Sequence, residues 1–507
     1  MNEYLLGVDI GSSALKITLL CADGRTVGPF SREIKMSAKR PGYVEQNPDS
    51  WLEIFSQALS EAVEIAGIDT ADIVALAPDA TTHTTVLLDS EFRPVRPAIM
   101  WNDQRSAAIA EKLKKEHGDL IFRLTNHEPG AMWSLCQNLW VRENEPDNWN
   151  RVSHMMFAKD YFRFCLTGDY LTDYIDAQGS QFFDVEKNEW SDSLCDLMGF
   201  DCARLPEVKK PTDFAGVVTK EAAAKTGLKA GTKVFVGTTD TVMEVFAAGA
   251  VSKGQSTVKL ATSGRICVIA DKAYPHPMLV NYSHVVDGLW YPGTGTRSCA
   301  SSLRWFKDNF ARYEEVQAEK ENRSVFEILG ELAEKIPVGS DKLFYHPYLL
   351  GEFTPYANAN LRASFTGASY SHTNGHFVRA IMEGCAFSLR DCFSVIDELG
   401  LPANGETRLI GGGSASRLWS QIVADVLQRP LIRPSVSDSS FGSAMLAGIG
   451  AGVFVDAHDA VAKCVKCDDV ITPKIENYEA YNTLFRYYKK IQKQLEGVYT
   501  DLAGMEL

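Results

Sequence analysis

Two segments of this chain, about 250 residues apart, repeat one pattern: an apolar strand, a short turn of small and hydroxyl-bearing residues, and a returning strand. The first reads LLGVDIGSSALKITLL and the second reads STVKLATSGRICVIA. Each segment is typical of a β-hairpin. A pattern that recurs at domain scale indicates two copies of one fold.

The length and the repeat together predict two α/β domains. Because 507 residues are too many for a single core, we expect a boundary near Gly249, with domains over residues 1–249 and 250–507. No proline- or glycine-rich linker separates the two halves. The domains are therefore predicted to share a substantial interface around a central cleft.

The charge balance narrows the possible partners. Lys and Arg number 51 and Asp and Glu number 65, which gives a net charge of −14. This balance argues against nucleic acid or an anionic membrane as the main partner, whereas backbone N–H groups can still bind a small anion such as a nucleotide. No apolar run is long enough to span a bilayer, and MNEYLLGVDIG does not have the features of a signal peptide. Eleven irregularly spaced cysteines indicate reduced thiols in the cytoplasm.

Local patterns predict one helix, and they give little support to a metal site at either of two pairs of potential ligands. Apolar residues recur with a helical period from about Ser50 to Ala66. Cys464 and Cys467 form one C-x-x-C, and no second pair stands at zinc-finger spacing. His372 and His376 are four residues apart, but the Asn-Gly between them is typical of a loop.

One aspartate lies between an apolar strand and an apolar helix. The stretch KVFVGTTDTVMEVFAA, residues 233–248, contains Asp240 at this junction. A carboxylate is costly there unless it is paired or used. Two interpretations stay open on these residues alone: Asp240 caps a helix that begins at Thr241, or it is a catalytic base at the carboxyl end of a strand, where open α/β sheets place their sites.

Three turns have the composition of phosphate-binding loops. DIGSSALK (Asp9–Lys16) offers successive backbone N–H groups, two hydroxyls and a carboxylate suited to Mg²⁺. ATSGR (261–265) offers two hydroxyls and a glycine, and LIGGGSAS (409–416) ends a strand in three glycines before a helix. None is a Walker A loop, and the glycine triplet lacks the dinucleotide pattern, so no nicotinamide cofactor is predicted.

In their order these motifs resemble those of the FGGY family of carbohydrate kinases, with xylulose kinases the most similar members. The resemblance covers nearly the whole chain and is carried by GVDIGSSALK, PAIMWNDQR, GTTDT, ATSGR, HPYLLGEFTP, LIGGGSAS and ASFTGASYSHTNGHFVRAIMEG. It implies two domains of the fold shared by actin, hexokinase and heat-shock ATPases (ribonuclease H-like), closing around ATP, Mg²⁺ and a small sugar. It further implies that the N-terminal domain binds the sugar and the C-terminal domain binds ATP. A homodimer is an expectation at the level of the family.

Residue by residue, the resemblance implies a role for each candidate. Asp240 would be the general base for the attacking sugar hydroxyl, and Asp9 would hold Mg²⁺ or its waters. The helix N-terminus at Asp240 would favour the charged form of its carboxylate. The implied ATP-binding residues are Ser12, Ser13, Lys16, Thr262, Ser263, Gly264, Gly411, Gly412, Gly413 and Ser414. The implied sugar-binding residues are Thr82, His83, Trp101, Asn102, Asp103 and Thr241.

Some of these residues also have plainer interpretations. His83 could be a strand-end histidine that donates to a backbone carbonyl, although five polar residues over 81–85 favour a pocket. Trp101 is equally compatible with core packing. Arg265 and Arg297 are compatible with surface ion pairs, and no role is predicted for either.

The chain departs from the family pattern mainly around the sugar. Thr241 stands where xylulose kinases usually have Asn, THT (82–84) replaces Met-His-Gly, and Phe353 replaces an arginine. Ala261 and Gln137 replace a glycine and a lysine. A site built for one hydroxyl pattern rejects others. The acceptor therefore stays open between a ketopentose such as D-xylulose, phosphorylated at its terminal hydroxyl, and ribulose, L-xylulose, a tetrose or a pentitol. A non-catalytic sugar or nucleotide sensor on the same fold is the competing class.

Overall fold

The computed structural model describes residues 3–505. Up to residue 250 the strands are β1 (Tyr4–Ile10), β2 (Ala14–Cys21), β3 (Thr26–Glu33), β4 (Glu45–Gln46), β5 (Ile73–Ala80), β6 (Thr85–Leu88), β7 (Ala98–Ile99), β8 (His154–Phe157), β9 (Leu171–Asp173), β10 (Phe183–Asp184), β11 (Glu189–Trp190), β12 (Glu207–Lys209), β13 (Phe214–Val217), β14 (Lys233–Phe235) and β15 (Thr238–Thr239). The helices of this half are α1 (Trp51–Ala66), α2 (Ala107–Thr125), α3 (Ser134–Asn144), α4 (Pro146–Trp149), α5 (Ala158–Thr167), α6 (Tyr174–Gly179), α7 (Asp192–Met198), α8 (Lys220–Thr226) and α9 (Asp240–Ala247).

The second half has its own strands and helices. The strands are β16 (Ser256–Leu260), β17 (Gly264–Val268), β18 (Gly293–Gly295), β19 (Phe344–His346), β20 (Ser364–Thr366), β21 (Thr407–Ile410), β22 (Leu431–Pro434) and β23 (Cys467–Ile471). The helices are α10 (Ala300–Phe310), α11 (Arg312–Glu321), α12 (Val325–Glu334), α13 (Asn374–Glu398), α14 (Arg417–Leu427), α15 (Ser439–Gly450), α16 (Ala457–Cys464) and α17 (Tyr478–Ala503). No helix within 3–505 is long and apolar enough to cross a membrane.

The two halves contain sheets of one design, which confirms the predicted repeat. The strand order is β13-β14-β5-β1-β2-β3 in the first sheet and β23-β22-β21-β16-β17-β18 in the second. Each sheet is built on an antiparallel hairpin, whose second strand pairs with a third antiparallel strand. The first strand of the hairpin is followed on its other side by two strands that run parallel to it. An antiparallel strand forms the edge beyond these two. The edges differ in chain order, because β13 precedes β14 whereas β23 follows β22. The fold is thus α/β with two related sheets, as expected.

The alternation of side chains along β1 separates a structural face from a functional face. Leu6, Val8 and Ile10 pack in one core with residues of α1. Leu5 packs in another core with residues of α9 and α15. Because strand side chains alternate between faces, Asp9 points to the same side as Leu5. A carboxylate at the end of this buried strand therefore faces α15 and not the core beneath α1.

Helix α15 comes from the second half of the chain but packs against β1, β2, β5 and α9 of the first half. A Cβ at Gly7 would lie 1.8 Å from the carbonyl oxygen of Ser440, so only glycine permits this approach. A Cβ at Gly442 would likewise lie 2.4 Å from the carbonyl oxygen of Met243 in α9. The hydroxyls of Thr18 and Ser440 are hydrogen-bonded at 2.7 Å. The two halves therefore meet through a close contact, in agreement with the expected interface.

Local predictions had mixed outcomes. The helix expected from Ser50 to Ala66 is confirmed as α1. The loop expected at Asn374-Gly375 is wrong, because α13 begins at Asn374. His376 lies in the first turn of α13, where its Nδ1 accepts from the N–H of Thr373 (3.1 Å). The glycine triplet does not lead straight into a helix. A short 3-10 helix (Gly412–Ala415) intervenes before α14.

One cysteine pair departs from the expected reduced state. Cys195 and Cys202, seven residues apart, form a disulfide across the end of α7. The nine other cysteines are free, and Cys467 is exposed while Cys464 is buried. The prediction of uniformly reduced thiols is therefore wrong for this pair.

Replacing Gly7 by Ala is expected to destabilise the fold by about 3 kcal/mol, because the new methyl group meets backbone and not a movable side chain. Thermal unfolding followed by circular dichroism measures the change. Gly118→Ala is the matched control, since its Cβ would have only Lys114 Cγ nearby, at 3.9 Å within α2, and alanine favours a helix. Equal melting temperatures for the two variants would contradict the assigned close contact.

Candidate active site

Asp240 lies where β15 ends beside the carboxyl end of β5. Thr239 is the helix cap and Asp240 is the first residue of α9, so the interpretation of Asp240 as the cap is wrong. Its Oδ1 accepts hydrogen bonds from the backbone N–H of Thr82 (3.2 Å) and from the Thr82 hydroxyl (2.9 Å). The carboxylate is therefore held against the polar segment that follows β5.

The surroundings of Asp240 make its carboxylate a stronger base. Burial, and then the negative charge of Glu244, raise the pKa of Asp240 above its ordinary value. The hydrogen bonds from Thr82 and the charge of Lys259 act in the opposite direction but do not outweigh them. The expectation that the helix N-terminus would favour the charged form is thus overruled by desolvation.

A chain of hydroxyl groups connects Asp240 to the second half of the protein. The Thr82 hydroxyl, which binds Asp240, is 3.3 Å from the hydroxyl of Thr241. The Thr241 hydroxyl is in turn hydrogen-bonded to the phenol of Tyr291 at 2.9 Å. Two residues predicted to bind sugar, Thr82 and Thr241, are therefore brought together beside Asp240.

Carboxylates accumulate beside the end of β1. Asp9 lies opposite Asp79 on the parallel strand β5. Asp79 Oδ2 accepts from the hydroxyl of Ser443 in α15 (2.6 Å). Within 3–505 the buried Oδ1 atoms of both aspartates have no hydrogen-bond partner. Burial, and then the charge of Asp438, raise the pKa of Asp9 to about 7.

Lys16 is the cation of this cluster. It lies opposite Asp9 in the β1–β2 hairpin, with Nζ 3.6 Å from Asp9 Oδ2. The same Nζ donates to Asp438 Oδ2 at 2.7 Å, and Asp438 caps α15. One lysine therefore contacts two carboxyl groups, and the cluster has more acidic groups than cations.

This excess is suited to Mg²⁺. The unpartnered Oδ1 of Asp9 is a hard oxygen donor in a polar cluster, which fits the preference of Mg²⁺ for one or two carboxylates together with water and phosphate oxygens. A cage of three or more His, Cys, Asp or Glu side chains is not found among the described residues. The residues present thus fit an ion that completes its shell with ligands other than protein.

The two predicted phosphate turns are partly exposed and keep free hydroxyls. Ser12, Ser13 and Lys16 follow the end of β1, and Ser12 Oγ accepts from the indole N–H of Trp101 at 3.0 Å. In the second turn the hydroxyls of Thr262 and Ser263 make no hydrogen bond within 3–505, while the N–H of Gly264 donates to the hydroxyl of Thr296. Each turn therefore presents donors that a phosphate could use.

The glycine triplet lies beside the second turn. Gly411 has φ +88°, and a Cβ there would be 2.6 Å from the carbonyl oxygen of Leu260, the residue just before the turn. Glycine is therefore required by both conformation and space. Gly412 and Gly413 begin the 3-10 helix, in which the Ser414 hydroxyl donates to the carbonyl of Gly411 (2.7 Å). The predicted ATP-binding segments of the second half are adjacent.

His83 is held by its backbone in an unusual conformation. Its φ is +49°, its N–H donates to Asp176 Oδ1 (2.6 Å), and its carbonyl accepts from the Ser134 hydroxyl (2.5 Å). The ring lies 5.0 Å from the ring of Trp133, and burial lowers the pKa of His83 to about 3. The imidazole is therefore neutral at physiological pH and is positioned by contacts to its main chain.

The segment 101–103 contacts the first phosphate turn through Trp101, whereas the carboxylate of Asp103 is bound within its own loop. Trp101 is 44% exposed, so it is not a core residue, and Asn102 is exposed as well. Asp103 is fully buried, and its carboxylate accepts from Arg105 Nη2 (2.8 Å) and from the N–H of Val44 (2.5 Å). Its carboxylate thus supports the loop, and a sugar contact for Asp103 stays a prediction.

A buried ionic network holds the segment after β5 and the strand that precedes Asp240. Lys159 Nζ contacts Asp160 (2.6 Å), Asp173 (2.9 Å) and Asp176 (3.5 Å). Asp176 holds the N–H of His83, and Asp173 Oδ2 accepts from the hydroxyl of Thr238 (2.8 Å), two residues before Asp240. The network therefore joins the segment after β5 to the strand that leads into Asp240.

Sequence reasoning missed Asp79, Asp438, Asp176 and Lys159. Asp79 interrupts the apolar run ALAPDATT and Lys159 interrupts MMFAKDYF, which is the same signal that drew attention to Asp240. Asp438 has only the signature of a helix cap, and no local pattern places it beside Asp9.

Comparison with known proteins agrees with this geometry. Residues 4–247 match the model of the N-terminal domain of the FGGY family of carbohydrate kinases, and residues 249–451 match the model of its C-terminal domain. The chain belongs to the FGGY family of carbohydrate kinases. It is therefore a carbohydrate kinase, and the resemblance inferred from its motifs is confirmed.

Within the FGGY family the chain is similar to xylulose kinases over nearly its full length. It is 32% identical to the xylulose kinase of Bacillus subtilis (strain 168), with 99% of each chain covered. The crystal structure of xylulose kinase from Rhodospirillum rubrum superposes with a TM-score of 0.86 at 28% identity and covers 98% of this chain and 100% of that one. The gluconokinase of Bacillus subtilis (strain 168) is 26% identical, over 100% of this chain and 99% of that protein.

Removing the Asp176 carboxylate is expected to impair acceptor binding more than ATP binding. Asp176→Ala leaves the N–H of His83 without an acceptor and frees a backbone held at positive φ. The KM for the acceptor should rise about tenfold or more. Asp176→Asn retains an oxygen at this position and is the matched control, so its KM should rise less. If Asp176→Ala raised the KM for ATP as much as the KM for the acceptor, or if Asp176→Asn had the same effects as Asp176→Ala, this positioning role would be refuted.

Proposed function

We propose that this FGGY kinase transfers the γ-phosphoryl group of ATP to the terminal hydroxyl of a ketopentose, with D-xylulose as the first acceptor. The environment of Asp240 is the observation that carries the proposal. Its carboxylate has a raised pKa and is held by Thr82. It lies at the same edge of the first sheet as Asp9, beside the carboxyl end of β5. The xylulose kinases among the relatives support this acceptor. Because Thr241 stands in place of the usual Asn, the test also includes ribulose, L-xylulose, tetroses and pentitols as acceptors.

In the proposed reaction the oxygen of the acceptor hydroxyl forms a bond to the γ-phosphorus of ATP. Asp240 accepts the proton that this hydroxyl loses. The bond between that phosphorus and the β–γ bridging oxygen breaks, and ADP leaves with the electron pair. Lys16 and the hydroxyls of Thr262 and Ser263 would orient the phosphates from the two turns. Charge on the phosphate oxygens is neutralised by Mg²⁺ when it is bound at Asp9.

Three further parts of the proposal derive from the family. The N-terminal domain would bind the sugar and supply the base, the C-terminal domain would bind ATP, and closure of the cleft would expel water. A cytoplasmic location and a homodimer complete the proposal.

The first test is ADP release with ATP and Mg²⁺ across ketopentoses, tetroses and pentitols. Asp240→Asn should lower kcat about 100- to 10,000-fold, because it removes the general base while preserving shape. Asp271→Asn is the matched control at an exposed aspartate paired with Lys253. Full turnover by Asp240→Asn would exclude the assigned role. ATP binding without turnover of any acceptor by the wild type would favour the sensor.

The pH dependence of kcat/KM provides a separate test. Asp240 acts only when deprotonated, so activity is lost as pH falls through its pKa. Since burial and Glu244 raise that pKa, the loss should begin at a higher pH than the ordinary aspartate value of about 3.9 allows. The Glu244→Gln variant removes one cause of the shift and should move the acidic limb to lower pH. An acidic limb that stays in place in this variant would contradict the electrostatic account.

A further inference from the structure

Gln46 is a buried side chain beside the first phosphate turn. It is the second residue of β4, and only 1% of its surface is exposed. Its Nε2 donates to the carbonyl oxygen of Gly11 (3.1 Å) and to that of Ser12 (2.6 Å). Both residues lie between β1 and β2, in the turn predicted to bind phosphate. One amide therefore holds two consecutive carbonyl groups of the turn.

The indole of Trp51 fixes which end of the Gln46 amide faces the turn. Its Nε1 donates to Gln46 Oε1 at 3.1 Å, and an indole nitrogen can only donate. The amide oxygen must therefore face Trp51, so both N–H groups of Nε2 are directed to the turn. Trp51 is itself buried, at the start of α1. The side chain of Gln46 thus uses both of its donors on the phosphate turn.

The carbonyls that Gln46 binds determine where the N–H groups of the turn point. In a trans peptide the C=O and the following N–H point in opposite directions. Because Gln46 binds the carbonyls of Gly11 and Ser12, the N–H groups of Ser12 and Ser13 point away from it. Neither of these N–H groups donates a hydrogen bond to any part of 3–505. Successive free N–H groups on one side of a turn form a concavity that binds anions.

The first phosphate turn lies close to Asp240. Ala80 of β5 pairs with Ile10 of β1 on one side and with Thr239 of β15 on the other. Gly11 and Asp240 are the next residues after those two partners, so they are two strand spacings apart, roughly 10 Å. The second phosphate turn follows β16 in the other sheet. The phosphoryl group that is transferred beside Asp240 therefore belongs at the first turn.

Strand β4 is also attached to the segment 98–105, which contains residues predicted to bind sugar. It pairs with β7 of that segment. The N–H of Val44, just before β4, donates to Asp103 Oδ2 at 2.5 Å. Glu45 accepts from Arg105 Nη1 at 2.7 Å. The position of Gln46 is thus fixed by the acceptor side of the site.

We propose that Gln46 is a positioning residue for phosphoryl transfer, which directs the N–H groups of the first phosphate turn toward the γ-phosphoryl group of ATP. Donors that are fixed before the reaction stabilise the charge of the transferred group without reorganising. The inference rests on the proposed kinase function and adds a residue that acts through the turn and not by contact with a substrate.

The test compares two nucleotides by calorimetric titration of the Gln46→Met variant, with Mg²⁺ and without acceptor. The probes are 5′-adenylyl imidodiphosphate, a non-hydrolysable analogue of ATP, and ADP, which lacks the γ-phosphoryl group. Methionine keeps the length of the side chain but removes both donors. The affinity for the ATP analogue should fall about tenfold, whereas the affinity for ADP should change by less than about twofold.

Two further variants separate this role from a structural one. Trp51→Phe removes the indole N–H that orients the Gln46 amide, so it should lower the affinity for the ATP analogue less than Gln46→Met does and leave that for ADP unaltered. Gln57→Met makes the same chemical change as Gln46→Met at an exposed position of α1 and should leave both affinities unaltered. A general loss of structure would instead lower both affinities together.

Each outcome decides for or against the inference. Equal losses of affinity for the two nucleotides, or no loss in Gln46→Met, would refute it, as would an unchanged kcat of Gln46→Met with an acceptor that the wild type phosphorylates. If Gln46→Met does not fold, the comparison of the two nucleotides in Trp51→Phe decides. A selective loss for the ATP analogue, with no acceptor phosphorylated by the wild type, would support the role of Gln46 and refute the proposed kinase reaction.

Discussion

The close approach of α15 to β1 is the contact on which the candidate site depends. It is possible because Gly7 offers no side chain to the backbone of Ser440. The same helix brings its cap, Asp438, to Lys16, and its Ser443 to Asp79. A helix from the second half of the chain thereby sets the charge around the end of a strand from the first half. The electrostatics of the site consequently depend on how α15 packs against the first half of the chain.

Buried polar atoms without hydrogen-bond partners lie in both halves of the chain, within the described residues. Asp9 and Asp79 have buried oxygens without partners, within the described residues, on the side of the first phosphate turn. In the second half, Arg265 Nη2 is likewise without a partner among residues 3–505, and the guanidinium carbon lies 5.7 Å from the centre of the Tyr291 ring. Buried polar atoms without partners are costly in the free protein, and a ligand that supplies a partner removes that cost. Asp240 lies at the start of α9 and is suited to accept one proton. Glu244 of the same helix binds Lys259, which lies beside Arg265.

The parts of the site that sequence reasoning found are those with local signals. The hairpin turns after β1 and β16 have small and hydroxyl residues between apolar strands, and Asp240 stands alone after such a strand. Asp438 escaped because its only local signal is a helix cap, a role that many surface aspartates have. The cap of α9 was assigned one residue too late, since Thr and Asp are both good caps and stand side by side.

The sequence by itself determined the two related sheets, the positions of their turns and the presence of a carboxylate at the end of a buried strand. These follow from alternation, turn chemistry and the cost of burying charge, all of which act over a few residues. Only the tertiary structure decided which charges are paired. Lys16 meets Asp438 and Asp79 meets Ser443 across more than 350 residues of chain, whereas the carboxylate of Asp103 is occupied by Arg105 two positions away. Pairing depends on distance in space, and packing of α15 against β1 sets that distance.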